Sequence, residues 1–226
     1  MNKLFIPKSG FDFLKKLKKN NNRDWFLKNK NHYEENLRTP LKDVIAELGK
    51  IFINNKQGIQ FNPAKAIFRI NRDVRFSNNK EPYKTNIGAS FISYRHNKKD
   101  EFPGLYLHIE PGNCFIGGGL YMPSSEQLRK IRESIKRDPN KFIKLTSAPS
   151  VKKYFGELAG EKLKRAPKGI AIDHPHIELL RLKQFIYIKR FKDADFQSGN
   201  LAKKIQKEFE AMLPLVEWLN SALTLW

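Results

Sequence analysis

The spacing of apolar residues changes twice along this chain of 226 residues, and that change limits the folds it can form. Residues 11–52 carry apolar side chains three and four positions apart, which is typical of helices that bury one face. Several segments between residues 66 and 122 alternate apolar and polar side chains instead, which is typical of strands. Helical spacing then returns. This order predicts an α+β fold, a single domain over 1–226 in which a central, mainly antiparallel sheet packs against N-terminal and C-terminal helices.

Three helices are predicted before the strands. Ser9 is expected to cap a helix over 11–19, and the asparagine run at 20–22 ends it and caps a second helix over 23–38. The Thr-Pro pair at 39–40 starts the third helix, because proline fits the first helical position.

The alternating segments predict strands at 66–71, 86–95, 105–110 and 114–122. The residues at 72–85 have no sustained period and are predicted to form a loop, and 111–113 form a hairpin turn. Beyond them, the spacing predicts helices at 128–135, 139–146, 150–158 and 195–222 and a strand at 184–191. Pro214 is expected to bend the last helix.

The formal net charge of +20 comes from 43 basic and 23 acidic residues. Such a charge attracts polyanions such as nucleic acid, phosphorylated metabolites or an anionic membrane. Lysines account for 31 of the basic residues and are scattered, as a compositional bias would leave them. By contrast, Arg69, Arg72 and Arg75 fall within seven residues. Arginine recognises phosphate or carboxylate with two parallel hydrogen bonds, so this cluster is the stronger signal.

The residues at 68–85, the Arg-rich segment, therefore predict a site for a phosphorylated or carboxylated small molecule. Arg69, Arg72 and Arg75 would hold the anion, and Asp73 would orient an arginine. The remaining ligand-binding candidates, which would complete the ring, are Ser77, Lys80, Tyr83 and Lys84. A structural network, with Asp73 paired to Arg72 or Arg75, is the alternative.

A long motif in this segment resembles the signature of the family catalogued as domain of unknown function 2461. The motif reads R-x-N-R-D-V-R-F-S-x-x-K-x-P-Y-K-T at 69–85. The resemblance continues in the opening at 11–26, in the hairpin at 104–122 with its three glycines, and at 179–185. It covers nearly the whole chain. It implies a single domain with a shared central loop, and it assigns no role to any residue.

A second candidate site lies on the predicted strand at 105–110. Tyr106, His108 and Glu110 share one face there because successive side chains of a strand point to opposite sides. A histidine beside a carboxylate can perform acid–base catalysis, so these three are the catalytic candidates. Half-buried sheets commonly carry such polar residues on a solvent-facing side, which is the more frequent interpretation.

No motif predicts a cofactor or a metal. The glycines at 117–119 allow close approach by a ligand or a strand, but they lack the sequence of a phosphate-binding loop. The Asp-His-Pro-His run at 173–176 lacks the helical spacing of a metal site. Cys114 and Ser77 occur without the context of a catalytic nucleophile.

Three functions stay open: an anion-binding pocket protein that either does or does not catalyse a reaction, a nucleic-acid-binding protein with a diffuse basic surface, and a scaffold without a ligand. Phe76 and Tyr83 could stack on bases in the second case. No apolar run reaches the roughly 18 residues of a membrane span. A single cysteine fits a reducing compartment, so we expect a cytoplasmic protein without a membrane partner. The oligomeric state is left open.

Overall fold

The computed structural model describes residues 4–54, 58–93 and 102–224. Four strands form one sheet in the order β1-β2-β3-β4, and every neighbouring pair is antiparallel. Their bounds are Ile87–Ile92 (β1), Gly104–Ile109 (β2), Cys114–Leu120 (β3) and Phe185–Phe191 (β4). With the helices on either side in sequence, this sheet confirms the predicted α+β class.

Helices precede and follow the strands, as the apolar spacing predicts. Before β1 lie α1 (Lys8–Lys19), α2 (Arg23–Lys28), α3 (Lys30–Tyr33), a π-helical turn (Glu34–Arg38), α4 (Thr39–Ile51) and α5 (Pro63–Ala66). After β3 lie α6 (Ser125–Arg137), α7 (Pro139–Thr146), α8 (Pro149–Tyr154), α9 (Ile177–Leu180), α10 (Asp193–Phe196) and α11 (Leu201–Thr224). In the part of the chain that the structure describes, no helix combines the length and apolar character that crossing a membrane requires.

Helix α11 covers one face of the sheet and forms the centre of the core. It packs on β2 and β3, and α4 and α6 pack on α11 in turn. The contact with β3 is close because Gly118 has no side chain: a Cβ atom there would lie 2.6 Å from the sulfur of Met212. Burial of Leu105, Phe209 and Met212 removes apolar surface from water and thereby stabilises the packing.

The N-terminal helices meet in a group of aromatic rings that also holds the Arg-rich segment. Phe13 packs against the rings of Trp25, Phe26 and Tyr33. The ring of Tyr83, from the Arg-rich segment, stacks on Phe26 at 4.1 Å between centroids. The segment is thus attached to the N-terminal helices as well as to the sheet.

Four predictions of local structure are wrong. The predicted strand at 66–71 does not form: Ala66 is the last residue of a helical turn, α5, and beyond it only single bridges join Ile67 to Ala89 and Asn71 to Tyr83. Asn62 accepts the amide of Ala64 and thereby caps α5, so the chain enters the predicted strand from a helical turn.

The predicted helix at 23–38 is broken at Asn29, whose side chain donates to the carbonyl of Trp25 and competes with the helix. Ser9 is not a cap, since α1 begins at Lys8 and the Ser9 hydroxyl donates to Asn36.

The predicted C-terminal helix at 195–222 is divided. A short helix, α10, comes first, and the chain then turns through Gly199, whose φ is 71°, before α11 begins. Pro214 lies inside α11. The predicted strand at 86–95 is observed as β1, and its last two predicted residues lie outside the described residues.

Candidate ligand pocket on the open face of the sheet

The face of the sheet opposite α11 carries the side chains that could bind a ligand. The register pairs Tyr106 with Gly117 and Ser90, and it pairs Gly117 with Ile188. Directly opposed residues project to the same side of a sheet. We call this side the open face; it consists of Gly88, Ser90, Tyr106, His108, Phe115, Gly117, Gly119, Ile186, Ile188 and Arg190.

A cavity of about 570 Å³ lies over the open face, within the usual size range of small-molecule sites. Phe68, from the Arg-rich segment, forms one wall, because its amide donates to the carbonyl of Gly88 and holds it beside β1. The apolar part of the lining also includes Phe102, Phe115, Ile186 and Ile188, and its polar groups come from Ser90, Tyr106, His108 and Arg190.

Two glycines make room for this arrangement. A Cβ atom at Gly88 would lie 2.5 Å from the hydroxyl of Tyr106, so only glycine lets that hydroxyl lie over β1. At Gly117 the nearest atom to an added Cβ is the carbonyl oxygen of Tyr187, at 3.4 Å. Gly117 therefore leaves open space at the floor of the cavity.

Tyr106, His108 and Glu110 form a continuous chain of hydrogen bonds along β2. The Tyr106 hydroxyl lies 2.9 Å from Nδ1 of His108, and Nε2 of His108 lies 3.3 Å from Oε2 of Glu110. The side-chain amide of Asn113, in the hairpin turn, donates to the same Glu110 oxygen at 2.8 Å. Phe115 stacks on the imidazole at 4.5 Å and fixes its plane.

The protonation states near neutral pH follow from burial. Burial lowers the pKa of His108, and the neighbouring Glu110 carboxylate opposes this only in part, so the imidazole is neutral. Burial raises the pKa of Tyr106 to about 12, so the phenol keeps its proton. A neutral imidazole has one donor and one acceptor nitrogen. Because Glu110 can only accept, Nε2 carries the proton, and Nδ1 accepts from Tyr106.

Cationic side chains lie beside the aromatic walls of the cavity. The guanidinium of Arg190 lies 5.9 Å from the centroid of Phe115 and donates to the side-chain oxygen of Asn113. The ammonium of Lys84 lies 5.4 Å from the ring centroid of Phe68. Burial and then the charge of Arg69 lower the pKa of Lys84.

The most exposed part of the Arg-rich segment pairs its charges internally. Arg75 donates two hydrogen bonds to Asp73, at 2.7 and 3.0 Å, and this pairing lowers the pKa of Asp73 to about 2. Arg72 lies 3.5 Å from Glu81. Lys80 donates to the carbonyl of Val74 at 3.1 Å. None of these groups lines the cavity.

The other candidates of the segment differ in position. Tyr83 is buried, and Asn21 holds its backbone by accepting its amide and donating to its carbonyl. The amide of Ser77 closes a turn on Val74. Within the described residues, Arg69 has no carboxylate partner within 4 Å, and it lies close enough to Lys84 to affect its pKa. The segment thus places Lys84 against the cavity wall formed by Phe68, with Arg69 close enough to affect the pKa of both Lys84 and Asp73, and it leaves the other candidates at the surface or in the core.

The remaining nucleophile and metal candidates have structural contacts. Cys114 is fully buried and lies within hydrogen-bonding distance of the Glu110 carbonyl and the Asp193 carboxylate. Burial raises the pKa of this thiol to about 12. Nδ1 of His174 accepts the amide of His176 in a turn. No group of three metal-ligating side chains occurs among residues 4–54, 58–93 and 102–224.

The sequence did not single out Ser90, Phe115, Ile188 and Arg190, although all four line the cavity. Alternation along each strand predicts which residues share a face of that strand. It does not predict which face of the sheet packs on α11 or how neighbouring strands are aligned. The position of these four residues in the cavity depends on both.

A family model described as a conserved hypothetical protein, DUF2461, matches residues 9–218. The chain belongs to this family. The residues matched to DUF2461 include all four strands, the Arg-rich segment and every group that lines the cavity. No curated protein and no solved structure matches the chain significantly. Membership of DUF2461 assigns no role to any residue.

Proposed function

We propose that this protein binds a small molecule with a planar apolar body and one anionic group in the cavity over the open face. The observation that carries the proposal is the cavity itself, whose aromatic and aliphatic walls surround a few convergent polar groups. Such a combination is the usual composition of a small-molecule site. Phe68 and Phe115 would contact the two faces or edges of the planar body.

The anionic group is assigned to the cationic margin of the cavity. Arg190 lies on the wall, and Lys84 lies against Phe68 with Arg69 nearby. Arg72 and Arg75 already face carboxylates of their own segment, so a ligand would have to compete with Glu81 and Asp73 for them. A carboxylate or phosphate is therefore better accommodated near Arg190 than in the outer part of the Arg-rich segment.

A matched pair of probes tests this assignment. Phenylacetate and phenylacetamide have the same ring, and only the first is charged. We expect isothermal titration calorimetry to show tighter binding of phenylacetate, and we expect Arg190→Gln to remove that preference without weakening phenylacetamide. Arg75→Gln is the control, because Arg75 lies outside the cavity. Loss of binding in Arg75→Gln, with Arg190→Gln unaffected, would place the site in the Arg-rich segment instead.

One observation favours a second function, the binding of single-stranded nucleic acid. Phe76 is 95% exposed, and the guanidinium of Arg75 lies 5.7 Å from its ring. An exposed ring beside a cation can stack on a base. Fluorescence anisotropy with a labelled oligonucleotide tests this second function. Phe76→Ala should weaken binding of the oligonucleotide if the ring stacks on a base. Binding by a diffuse basic surface would instead leave the affinity of Phe76→Ala unchanged and make it fall steeply with salt.

A further inference from the structure

The chain of hydrogen bonds on β2 leads from the interior of the cavity to a carboxylate at its edge. Tyr106 and His108 both line the cavity, and Glu110 receives the far nitrogen of the imidazole. The exposed fraction of the side chain rises from 10% at His108 to 27% at Glu110. A half-buried phenol, a buried imidazole and a more exposed carboxylate in a row are the components of a proton relay.

We propose that Tyr106, His108 and Glu110 take a proton from a weakly acidic ligand in the cavity, so that the anion held there is formed on binding. The inference rests on the proposed function, and it names the ligand class as weak acids with a planar body: phenols, enols or carbon acids next to a carbonyl. Tyr106 is the catalytic residue, since its side chain lines the cavity that would hold the ligand. His108 and Glu110 act through it.

The proton transfer balances without any other reactant. The ligand's acidic bond to hydrogen breaks, and a new O–H bond forms on the Tyr106 oxygen. The original O–H bond of Tyr106 breaks, and its proton passes 2.9 Å to Nδ1 of His108. The ligand becomes an anion and the imidazole becomes an imidazolium, so the net charge of the site is unchanged.

The resting hydrogen bonds already point in the direction that this transfer needs. Nδ1 of His108 carries no proton and accepts from the Tyr106 hydroxyl, because Glu110 holds the proton of the imidazole on Nε2. The charged groups that face the imidazole act in opposite directions: Glu110 stabilises the imidazolium, and Arg190 disfavours it. A bound anion would offset Arg190, so protonation of His108 and deprotonation of the ligand favour each other.

A coloured weak acid and its methyl ether separate binding from proton transfer. p-Nitrophenol has an acidic hydroxyl whose anion absorbs in the visible range, and p-nitroanisole has the same ring without that proton. At a pH where free p-nitrophenol is mostly neutral, the wild-type protein should convert bound p-nitrophenol to the phenolate. Tyr106→Phe and His108→Gln should each reduce the bound phenolate-to-phenol ratio by about tenfold or more, the equivalent of one pKa unit. Glu110→Gln should reduce it in the same direction.

Binding of p-nitroanisole reports whether a substitution damages the pocket itself, because this ether has no acidic proton to lose. In variants that still bind p-nitroanisole, a loss of phenolate is assigned to the relay, and Arg75→Gln, which lies outside the cavity, should match wild type with both probes. If both probes bind and the phenolate ratio is the same in all variants, the relay is overturned while the pocket stands. If neither probe binds wild type at millimolar concentration, the proposed function fails and the relay fails with it.

Discussion

Two adjacent glycines on β3 provide a direct test of which face of the sheet is packed and which is open. At Gly118, an added methyl group would lie 2.6 Å from the sulfur and 2.8 Å from Cβ of Met212, and 3.0 Å from a methyl of Leu105. The sulfur can move, but Cβ of Met212 is fixed by the backbone of α11. Overpacking of this kind costs roughly 1–3 kcal/mol, so Gly118→Ala should lower the free energy of unfolding by about that amount.

Gly117→Ala is the matched substitution on the opposite face. Its methyl group would meet nothing closer than the carbonyl oxygen of Tyr187 at 3.4 Å. Replacing glycine where the backbone accepts alanine stabilises a protein by roughly 0.4–1 kcal/mol through the unfolded state. Urea denaturation should therefore show Gly117→Ala at or above wild type and Gly118→Ala clearly below it. Equal destabilisation by both would refute the assignment of packed and open faces.

Three further predictions concern the packing around the site. Cys114, the one cysteine of the chain, is fully buried, and the pKa of its thiol is raised to about 12. A thiol reagent at pH 8 should therefore modify the native protein only as fast as the protein unfolds. Immediate modification would contradict this burial. The pKa of Asp73 in the folded protein is lowered to about 2, so the stability that its pairing with Arg75 contributes is present above the ordinary aspartate pKa and is lost as the pH falls towards 2. NMR titration should give a pKa near 2 for Asp73. Arg75→Gln should return this pKa towards the ordinary value for aspartate. Asn21→Ala leaves the backbone N–H and C=O of Tyr83 without their partners. It should lower the free energy of unfolding, measured by urea denaturation, by roughly 1–3 kcal/mol and speed hydrogen exchange at the Tyr83 amide. Unchanged exchange would mean that Asn21 does not hold the segment.

The order and type of the main elements could be predicted from the sequence because each has a strong local signal. Alternation at 105–110 and 114–122, with a Pro-Gly-Asn turn between them, gives β2 and β3 with little ambiguity. The segment at 66–71 shows the limit of that signal. Its alternation is real, but the segment begins at the last residue of α5, and beyond it only single bridges join the segment to β1 and to Tyr83.

The candidate site was predictable in part for the same reason. Tyr106, His108 and Glu110 lie at alternate positions of one strand, so their shared face follows from local geometry, and their hydrogen bonds run along that face. The partners of Arg72 and Arg75 did not follow, because loop conformation decides whether a guanidinium faces a neighbouring carboxylate or a cavity. Arg190 depends on the pairing of β4 with β3, a contact between residues about 75 positions apart.

The central claim is that the ligand site lies over the open face of the sheet, beside Tyr106 and Arg190. Titration of ¹⁵N-labelled protein with phenylacetate, followed by amide chemical shifts, tests it most directly. The pocket predicts saturable shifts that are largest at Gly88, Gly117 and Ile188, with small shifts at 72–81. Saturable shifts confined to 72–81, with the amides of the open face unmoved, would contradict the claim and return the site to the Arg-rich segment.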